Sequence, residues 1–218
     1  MPVRPSEMTG RNARIDAAAQ SGAHPVFVIT GTSGEGKSTL ARLLLERVPE
    51  LELAVSATTR ARRPGEVEGR DYWFISSDEF DRRLAADEFL EHVEWPWGER
   101  RKAGTLWSEL DRIAERGRVV LLELETTGAL RVKEKVPSAV TIFITAPSVD
   151  ELERRLRARG TEKLGEIEER LAEAQEQWKR KDRFDHVVVN DDLERALDEL
   201  AGIVHEELAA AGRAAQVP

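Results

Sequence analysis

The sequence predicts a three-layer α/β fold with a mainly parallel sheet, and three observations support it. Apolar segments typical of buried strands alternate along the chain with segments of helical periodicity. A glycine-rich segment, residues 31–38, separates the first such strand from the first such helix. Residues 58–104 interrupt the alternation with short strands and turns, so we interpret them as an inserted lobe.

The elements can be placed in order after an N-terminal tail, residues 1–24, which lacks a sustained apolar period. β-branched and apolar runs predict strands at residues 26–30, 51–57, 72–75, 119–124, 140–145 and 186–189. Apolar residues at helical spacing predict helices at residues 38–48, 78–86, 106–116, 149–157, 166–183 and 191–208. We therefore expect one domain, whose parts are a core at residues 25–57 and 105–211, the lobe at 58–104, and a C-terminal tail at 212–218.

Composition narrows the class of protein. The chain has 218 residues, 40% apolar and 34% charged, as in globular proteins. Its 33 basic and 41 acidic residues give a net charge of −8, which does not support a general binder of nucleic acid or anionic membranes. The absence of cysteine excludes disulfides, thiolate metal sites and cysteine nucleophiles. Because neither a membrane span nor a signal peptide is recognisable, we expect a cytoplasmic enzyme or binding module.

A phosphate-binding loop is the strongest local signal. Residues 31–38, Gly-Thr-Ser-Gly-Glu-Gly-Lys-Ser, match G-x-x-x-x-G-K-[ST] between a predicted strand and a predicted helix. Glycines let backbone N–H groups turn toward phosphate oxygens, and the dipole of the following helix favours the anion. We expect Lys37 to reach the β- and γ-phosphates of a nucleotide and Ser38 to ligate Mg²⁺. The residues expected to bind the donor nucleotide, which the resemblance described below implies is ATP, are Gly31, Thr32, Ser33, Gly34, Glu35, Gly36, Lys37, Ser38 and Thr39.

Two carboxylates lie at the end of the predicted strand 119–124. Glu123 is where an acidic residue commonly holds the metal, directly or through water. Glu125 falls on the same sheet face if the strand continues. Two carboxylates at this strand end suit the ligand crevice of an open α/β sheet, although two solvated acids remain the alternative. A GTPase is disfavoured because no N-K-x-D run is present.

The lobe carries a second candidate phosphate site. Arg60 and Arg63 are close enough in sequence to converge on one phosphate if the chain turns at Pro64-Gly65. Guanidinium groups offer forked donors that match phosphate oxygens, and the Tyr72 hydroxyl could add another. In isolation this pattern would more often be a solvated basic turn. Its place in a lobe opposite the phosphate loop favours the phosphate site.

Five segments in the same order resemble the guanylate kinase family. They are the phosphate loop, V-S-A-T-T-R-A-R-R-P-G-E-V-E-G-R-D-Y-W-F at residues 55–74, F-L-E at 89–91, R-A-R-G-T-E at 157–162 and V-N-D-D-L at 189–193. The resemblance spans about residues 27–200. It implies a P-loop NTPase core with an inserted acceptor-binding lobe and a short lid at residues 158–170. It also implies Mg²⁺-dependent phosphoryl transfer from ATP to GMP or dGMP.

The resemblance further implies roles for single residues. Those implied to bind the phosphate of the acceptor nucleotide are Arg60, Arg63 and Tyr72, and those implied to read its guanine edge are Ser56, Glu91, Thr105 and Glu125. Those implied to stabilise charge during transfer are Lys37, Arg155, Arg159 and Arg170. Ser38 and Glu123 would hold the metal, and Asn190 would lie near the donor adenine. Ion pairs with nearby glutamates are the alternative for the lid arginines, and a strand-end turn is the alternative for Asn190.

The acceptor half departs from the family pattern. Ala103-Gly104-Thr105 stands where the family has Y-G-[ST], so a phosphate-binding hydroxyl is missing. Three basic residues could replace it, namely Arg100, Arg101 and Lys102. Trp95 and Trp97 could stack on the acceptor base, or could simply pack the lobe.

These departures keep two other functions open. One is a kinase of the same fold that acts on another nucleotide or a sugar phosphate. The other is a guanylate-kinase-like binding module without catalysis. Lys37, Ser38 and the lid arginines argue against the binding module, because such a module has no use for them.

Overall fold

The computed structural model describes residues 25–32, 34–95, 101–159, 172 and 174–214. The predicted N-terminal tail and nearly all of the predicted lid lie outside these ranges. The strands are β1 Phe27–Thr30, β2 Leu51–Leu53, β3 Ala57–Thr58, β4 Trp73–Phe74, β5 Phe89–Trp95, β6 Arg101–Leu106, β7 Val119–Glu123, β8 Val140–Thr145 and β9 His186–Val189. The helices with defined bounds are α1 Lys37–Arg47, α2 Ser77–Ala85, α3 Trp107–Glu115, α4 Thr126–Lys135, α5 Val149–Arg159 and α6 Leu193–Ala214.

The core is a parallel five-stranded sheet in the order β2-β7-β1-β8-β9. Alternate residues of β1 enter two different apolar clusters. Phe27 and Ile29 pack with α1 and α6, whereas Val28 packs with α3 and α4. Helices therefore cover both faces, which is why every residue of β1 and β8 is buried. The predicted three-layer α/β fold with a mainly parallel sheet is confirmed.

The lobe is built on a second, four-stranded sheet in the order β4-β3-β6-β5. Strand β6 pairs antiparallel with both β3 and β5, and β3 pairs parallel with β4. Its small core is closed by Phe80 of α2, which stacks on Phe89 with ring centroids 4.3 Å apart. The lobe thus has its own apolar support beside the main core.

Several predicted elements differ from the structure. The predicted strand 51–57 is two strands, because the chain leaves the core sheet after Leu53 and enters the lobe sheet at Ala57. Helix α4 and the β5–β6 hairpin were not predicted as elements. Helix α4 begins Thr-Thr-Gly, residues of low helix propensity, and is instead held by packing on the sheet.

The C-terminal part also differs. Within the predicted helix 166–183, residues 174–178 are helical, but Lys181–Arg183 form a 3₁₀ turn, so the α-helix ends earlier. Helix α6 continues past residue 208 into the predicted tail, through alanines that favour helix. None of the helices in the described ranges is long and apolar enough to cross a membrane.

Candidate active site

The phosphate loop joins β1 to α1, and two of its glycines are required by close approach. Gly31 and Gly36 have φ angles of 140° and 88°, a backbone conformation that residues with a side chain rarely adopt. A Cβ at Gly31 would collide with the carbonyl oxygen of Ile144, and one at Gly36 would lie 2.5 Å from Nδ2 of Asn190. The loop is therefore packed tightly against the ends of β8 and β9.

A buried carboxylate braces this loop from within. Glu35 is fully buried, and its Oε2 accepts a hydrogen bond from the backbone N of Thr32 at 2.6 Å. Its Oε1 accepts from Nε1 of Trp178 at 3.0 Å and from the backbone N of Ala146 at 3.4 Å. These contacts connect the loop to the end of β8 and to the segment that follows the predicted lid. The sequence had indicated Glu35 as a loop member only.

Asn190 supports the loop from the end of β9. Its Nδ2 donates to the carbonyl oxygen of Glu35 at 2.7 Å, and its own carbonyl accepts from Nη2 of Arg155 at 2.9 Å. Arg155 also donates through Nε to Glu151 at 2.7 Å. The ion pair that was the alternative for Arg155 is therefore present. A place for Asn190 near the donor adenine stays a prediction.

Lys37 and Ser38 open helix α1 at the mouth of the loop. Nζ of Lys37 donates to the carbonyl oxygen of Thr32 at 2.8 Å. Oγ of Ser38 donates to Oε1 of Glu123 at 2.5 Å. The contact follows from the parallel register, which pairs Ile29 with Glu123 and so ends β7 beside the loop.

The hydroxyl and carboxylate oxygens of Ser38 and Glu123 fit a magnesium ion. Mg²⁺ prefers oxygen ligands and usually takes only one or two from the protein. Within the described ranges, no three or more His, Asp or Glu side chains group as a metal site. A metal bound at Ser38 and Glu123 would therefore complete its shell with water and substrate phosphates.

A cleft of about 690 Å³ lies between the phosphate loop and the lobe. Its lining comes from the phosphate loop, the end of β7, the lobe and the segment after the lid: Gly31, Thr32, Gly34, Gly36, Lys37, Ser38, Thr39, Arg63, Tyr72, Glu123, Leu124, Glu125, Ala174 and Gln177. Strand β7 ends at Glu123, so the condition under which Glu125 would share a sheet face with Glu123 is not met. Glu125 is instead the N-cap residue of α4, and it still lines the same cleft as Glu123.

Arg60 is held in place by a carboxylate. Its Nη1 and Nη2 donate to the two oxygens of Glu66 at 2.7 and 2.5 Å, and its guanidinium lies 4.9 Å from the centroid of the Tyr72 ring. Glu66 also accepts from the backbone N of Arg63 at 2.8 Å. These hydrogen bonds lower the pKa of Glu66 to about 2, and the bond from Arg60 is the largest cause. Sequence reasoning missed Glu66, although its spacing after the two arginines was a usable signal.

The Tyr72 hydroxyl can donate a hydrogen bond over the whole physiological pH range. Burial is the main cause that raises its pKa above the ordinary value, which keeps the hydroxyl protonated. The ring packs beside Phe74 and under Arg60, so the hydroxyl is held near the guanidinium. Tyr72 and Arg63 line the cleft of the phosphate loop, whereas Arg60 lines a second pocket together with Arg63. The structure therefore brings two of the three predicted acceptor-phosphate residues to the cleft itself.

Three of the four residues expected to read guanine form a connected group. The β5–β6 register pairs Glu91 with Thr105. Oε1 of Glu91 accepts from the backbone N and from Oγ1 of Thr105 at 2.9 and 3.0 Å, and Oγ1 of Thr105 lies 3.3 Å from Oγ of Ser56. Burial raises the pKa of Glu91 to about 7, and the bonds from Thr105 oppose the rise.

The fourth expected residue, Glu125, acts on this group at longer range, because its charge also contributes to the raised pKa of Glu91.

Sequence reasoning missed Gly128 of α4. A Cβ there would lie 2.8 Å from Oε2 of Glu91, so any other residue at this position would require the Glu91 carboxylate to shift. A glycine inside a helix next to two threonines was the available signal.

The structure separates the basic residues that could replace the missing hydroxyl. Lys102 forms an ion pair with Asp81 of α2, and its Nζ lies 6.0 Å from the centroid of the Phe80 ring. Arg101 instead lines a pocket with Arg60 and others. Arg100 and Trp97 lie outside the described residues, as do Ser33, Arg170 and the side chain of Arg159. Their roles stay predictions.

Comparisons with known proteins agree with this geometry. A family model described as guanylate kinase matches residues 23–207. The guanylate kinase of Rubrobacter xylanophilus is 46% identical over 184 residues, 84% of this chain and 95% of the relative. That of Trichormus variabilis is 47% identical over 175 residues, 79% of this chain and 85% of the relative. The crystal structure of guanylate kinase from Anaplasma phagocytophilum has a TM-score of 0.67 and 30% identity, covering 85% of this chain and 87% of that one.

Proposed function

The chain belongs to the guanylate kinase family and phosphorylates GMP with ATP, and we propose that transfer takes place in the cleft between the phosphate loop and the lobe. The observation that carries this proposal is the shared lining. Lys37 and Ser38 lie on one side of the cleft, and Arg63 and Tyr72 lie on the other. A phosphate held on the loop side of the cleft would face a phosphate held on the lobe side, as in-line transfer requires. The proposal extends to dGMP.

On the donor side, the loop N–H groups would hold the β- and γ-phosphates of ATP. Nζ of Lys37 now bonds the carbonyl oxygen of Thr32 inside the loop, which places the ammonium where phosphate oxygens can replace the carbonyl. Its charge would stabilise the oxygens of the γ-phosphoryl group during transfer. No covalent intermediate with the protein is needed, so the residues act by position and charge.

Ser38 and Glu123 would hold Mg²⁺ when it is bound. Their contact at 2.5 Å presents two oxygen ligands at the mouth of the loop. The ion would neutralise charge on the phosphate oxygens of the donor. Glu123 has an additional methylene relative to the aspartate that the family pattern has here, and its contact with Ser38 shows that the longer side chain still reaches the loop.

On the acceptor side, Arg60, Arg63 and Tyr72 would bind the phosphate of GMP. Glu66 orients Arg60 for this task, because both guanidinium nitrogens that face it are bonded. Forked donors match the oxygens of a phosphate monoester, and the protonated Tyr72 hydroxyl adds a neutral donor. Arg155, Arg159 and Arg170 would close over the γ-phosphoryl group from the lid.

Glu91, Thr105 and Ser56 would read the guanine edge. A carboxylate can accept from N1–H and N2–H₂ of guanine together. Glu91 is 3% exposed and has a pKa of about 7, so binding those two donors would favour its ionised form. The adenine ring of AMP presents an acceptor at N1, which would face this carboxylate without a proton between them.

A panel of acceptors tests the proposal. ATP-dependent turnover is measured on GMP, dGMP, AMP, UMP, CMP and ribose phosphates at equal concentrations. We expect turnover on GMP and dGMP, with kcat/KM for AMP lower by about ten-thousandfold, since a site built for hydrogen bonds rejects a ligand that lacks them. Turnover of another acceptor with GMP inert would contradict the assignment of Glu91 to guanine.

A further inference from the structure

We propose that Arg101 is a third guanidinium of the acceptor-phosphate site, directly beside Arg60. The proposal rests on the function proposed above and adds a residue to its acceptor site. Arg101 belongs to β6, whereas Arg60 and Arg63 follow β3. The three arginines and Ala61 together line one pocket of about 320 Å³.

The strand register accounts for this convergence. Strand β3 pairs antiparallel with β6, and Thr58 lies opposite Ala103. The ladder continues one step further, because the backbone N of Thr59 donates to the carbonyl oxygen of Lys102 at 3.0 Å and the backbone N of Lys102 donates to Oγ1 of Thr59 at 2.9 Å. The next pair in this register is Arg60 with Arg101.

Alternation along β6 selects Arg101 and excludes its neighbour. Successive side chains of a strand point to opposite faces. Lys102 turns toward α2 and pairs with Asp81 there. Arg101 therefore shares the other face with Ala103, whose side chain is a single methyl group. Arg63 lines both this pocket and the cleft of the phosphate loop, so the two spaces meet at one side chain.

The charge of the pocket matches a phosphate monoester. Three guanidinium groups line it, and among the described residues Glu66 is the one carboxylate that pairs with any of them. The balance is a surplus of two positive charges. A phosphate monoester carries about −1.5 to −2 at neutral pH. Like charges that face each other across a strand pair repel, so a dianion here would relieve repulsion between Arg60 and Arg101.

The test compares Arg101→Ala with Arg62→Ala, an exposed arginine of the same lobe that lines neither pocket. We expect Arg101→Ala to raise the KM and Kd for GMP about tenfold to a hundredfold, the range for a charge-assisted bond. The KM for ATP and the affinity for guanosine, which lacks the phosphate, should stay as in the unmodified protein. Arg101→Lys should recover part of the loss, because the charge remains without the fork.

Several results separate this proposal from the function it extends. Equal GMP affinity for Arg101→Ala and Arg62→Ala would overturn it, as would an equal loss for GMP and guanosine, which would indicate a structural role. Binding of inorganic phosphate is measured on the same variants. If the unmodified protein failed to phosphorylate GMP, the proposed function would fail. A loss of phosphate binding confined to Arg101→Ala would even then support the anion site, and unchanged phosphate binding would refute it.

Discussion

The two halves of the cleft are made rigid in different ways. The phosphate loop is held in place by its packed glycines and by the buried carboxylate of Glu35. The groups that it offers to a phosphate are mainly backbone N–H groups. The acceptor site is built from long cationic side chains, and Arg60 is oriented by a counter-charge, Glu66. If ATP binds as we propose, backbone donors held by packing would need little reorganisation. If GMP binds as we propose, arginines held by an ion pair would exchange part of that pairing for its phosphate.

The largest effect should come from Lys37 of the phosphate loop. Lys37→Met would remove the charge that we propose stabilises the γ-phosphoryl group, and it would leave the core intact. We expect kcat to fall by at least about a thousandfold, comparable to the loss of a strong transition-state donor. The melting temperature should not change. Full activity in a folded Lys37→Met protein would contradict the donor assignment.

A pH effect should distinguish the acceptor half. The pKa of Glu91 is raised from 4.5 to about 7 in the folded chain, so the folded state retains a proton that the unfolded state has lost between these values. Stability from this group is present below about pH 4.5 and is lost as the pH rises through 7. The loss should reach about 3 kcal/mol. Chemical unfolding at pH 4.5 to 7.5 measures it, and Glu91→Gln, which cannot titrate, should reduce the dependence.

Glu91→Gln should also weaken GMP recognition. The amide can no longer accept from both guanine donors with a full charge, and we expect kcat/KM for GMP to fall about tenfold to a hundredfold. Steady-state kinetics at pH 8, where Glu91 is ionised, gives the clearest contrast. The KM for ATP is the internal control, since the hydrogen bonds of Glu91 among the described residues come from Thr105 of the lobe and not from the phosphate loop. A comparable rise in both KM values would place Glu91 outside the guanine site.

A smaller effect is expected from the bracing of the loop. Trp178→Phe keeps most of the ring but removes the Nε1–H that donates to Glu35. The loss of one hydrogen bond to a buried carboxylate should cost about 1.5–3 kcal/mol of stability at most. Trp107→Phe is a matched control, because Trp107, like Trp178, is partly buried against the same apolar cluster, whereas the described partners of the Glu35 carboxylate are Thr32, Ala146 and Trp178. Equal destabilisation by both variants would show that the bond to Glu35 is not special.

The same difference between the halves explains what could be predicted from sequence. The phosphate loop is a local pattern, so Lys37 and Ser38 could be placed from the residues alone. The partner of Glu35 could not, because Trp178 lies 143 residues away and only the fold brings it near. Glu66 lies close to Arg60 in sequence, but the turn that pairs them depends on the lobe.

Local patterns also misled where the chain changes sheet. The segment Leu-Glu-Leu-Ala-Val-Ser-Ala at residues 51–57 predicted one strand, yet its two ends belong to different sheets. The register of β6 against β3 and β5 was equally hidden, because pairing between strands is not encoded in one segment. This register is what brings Thr105 to Glu91 and Arg101 to Arg60.

The most direct test of this account is the pair of KM values in two variants, one from each half. Glu35→Ala should raise the KM for ATP and leave that for GMP nearly unchanged, because in the described part of the chain this carboxylate bonds the loop, the end of β8 and Trp178, but not the lobe. Arg60→Ala should raise the KM for GMP about tenfold to a hundredfold with the KM for ATP unaltered. If either variant raised both values by similar factors, the assignment of the two halves to separate substrates would be wrong.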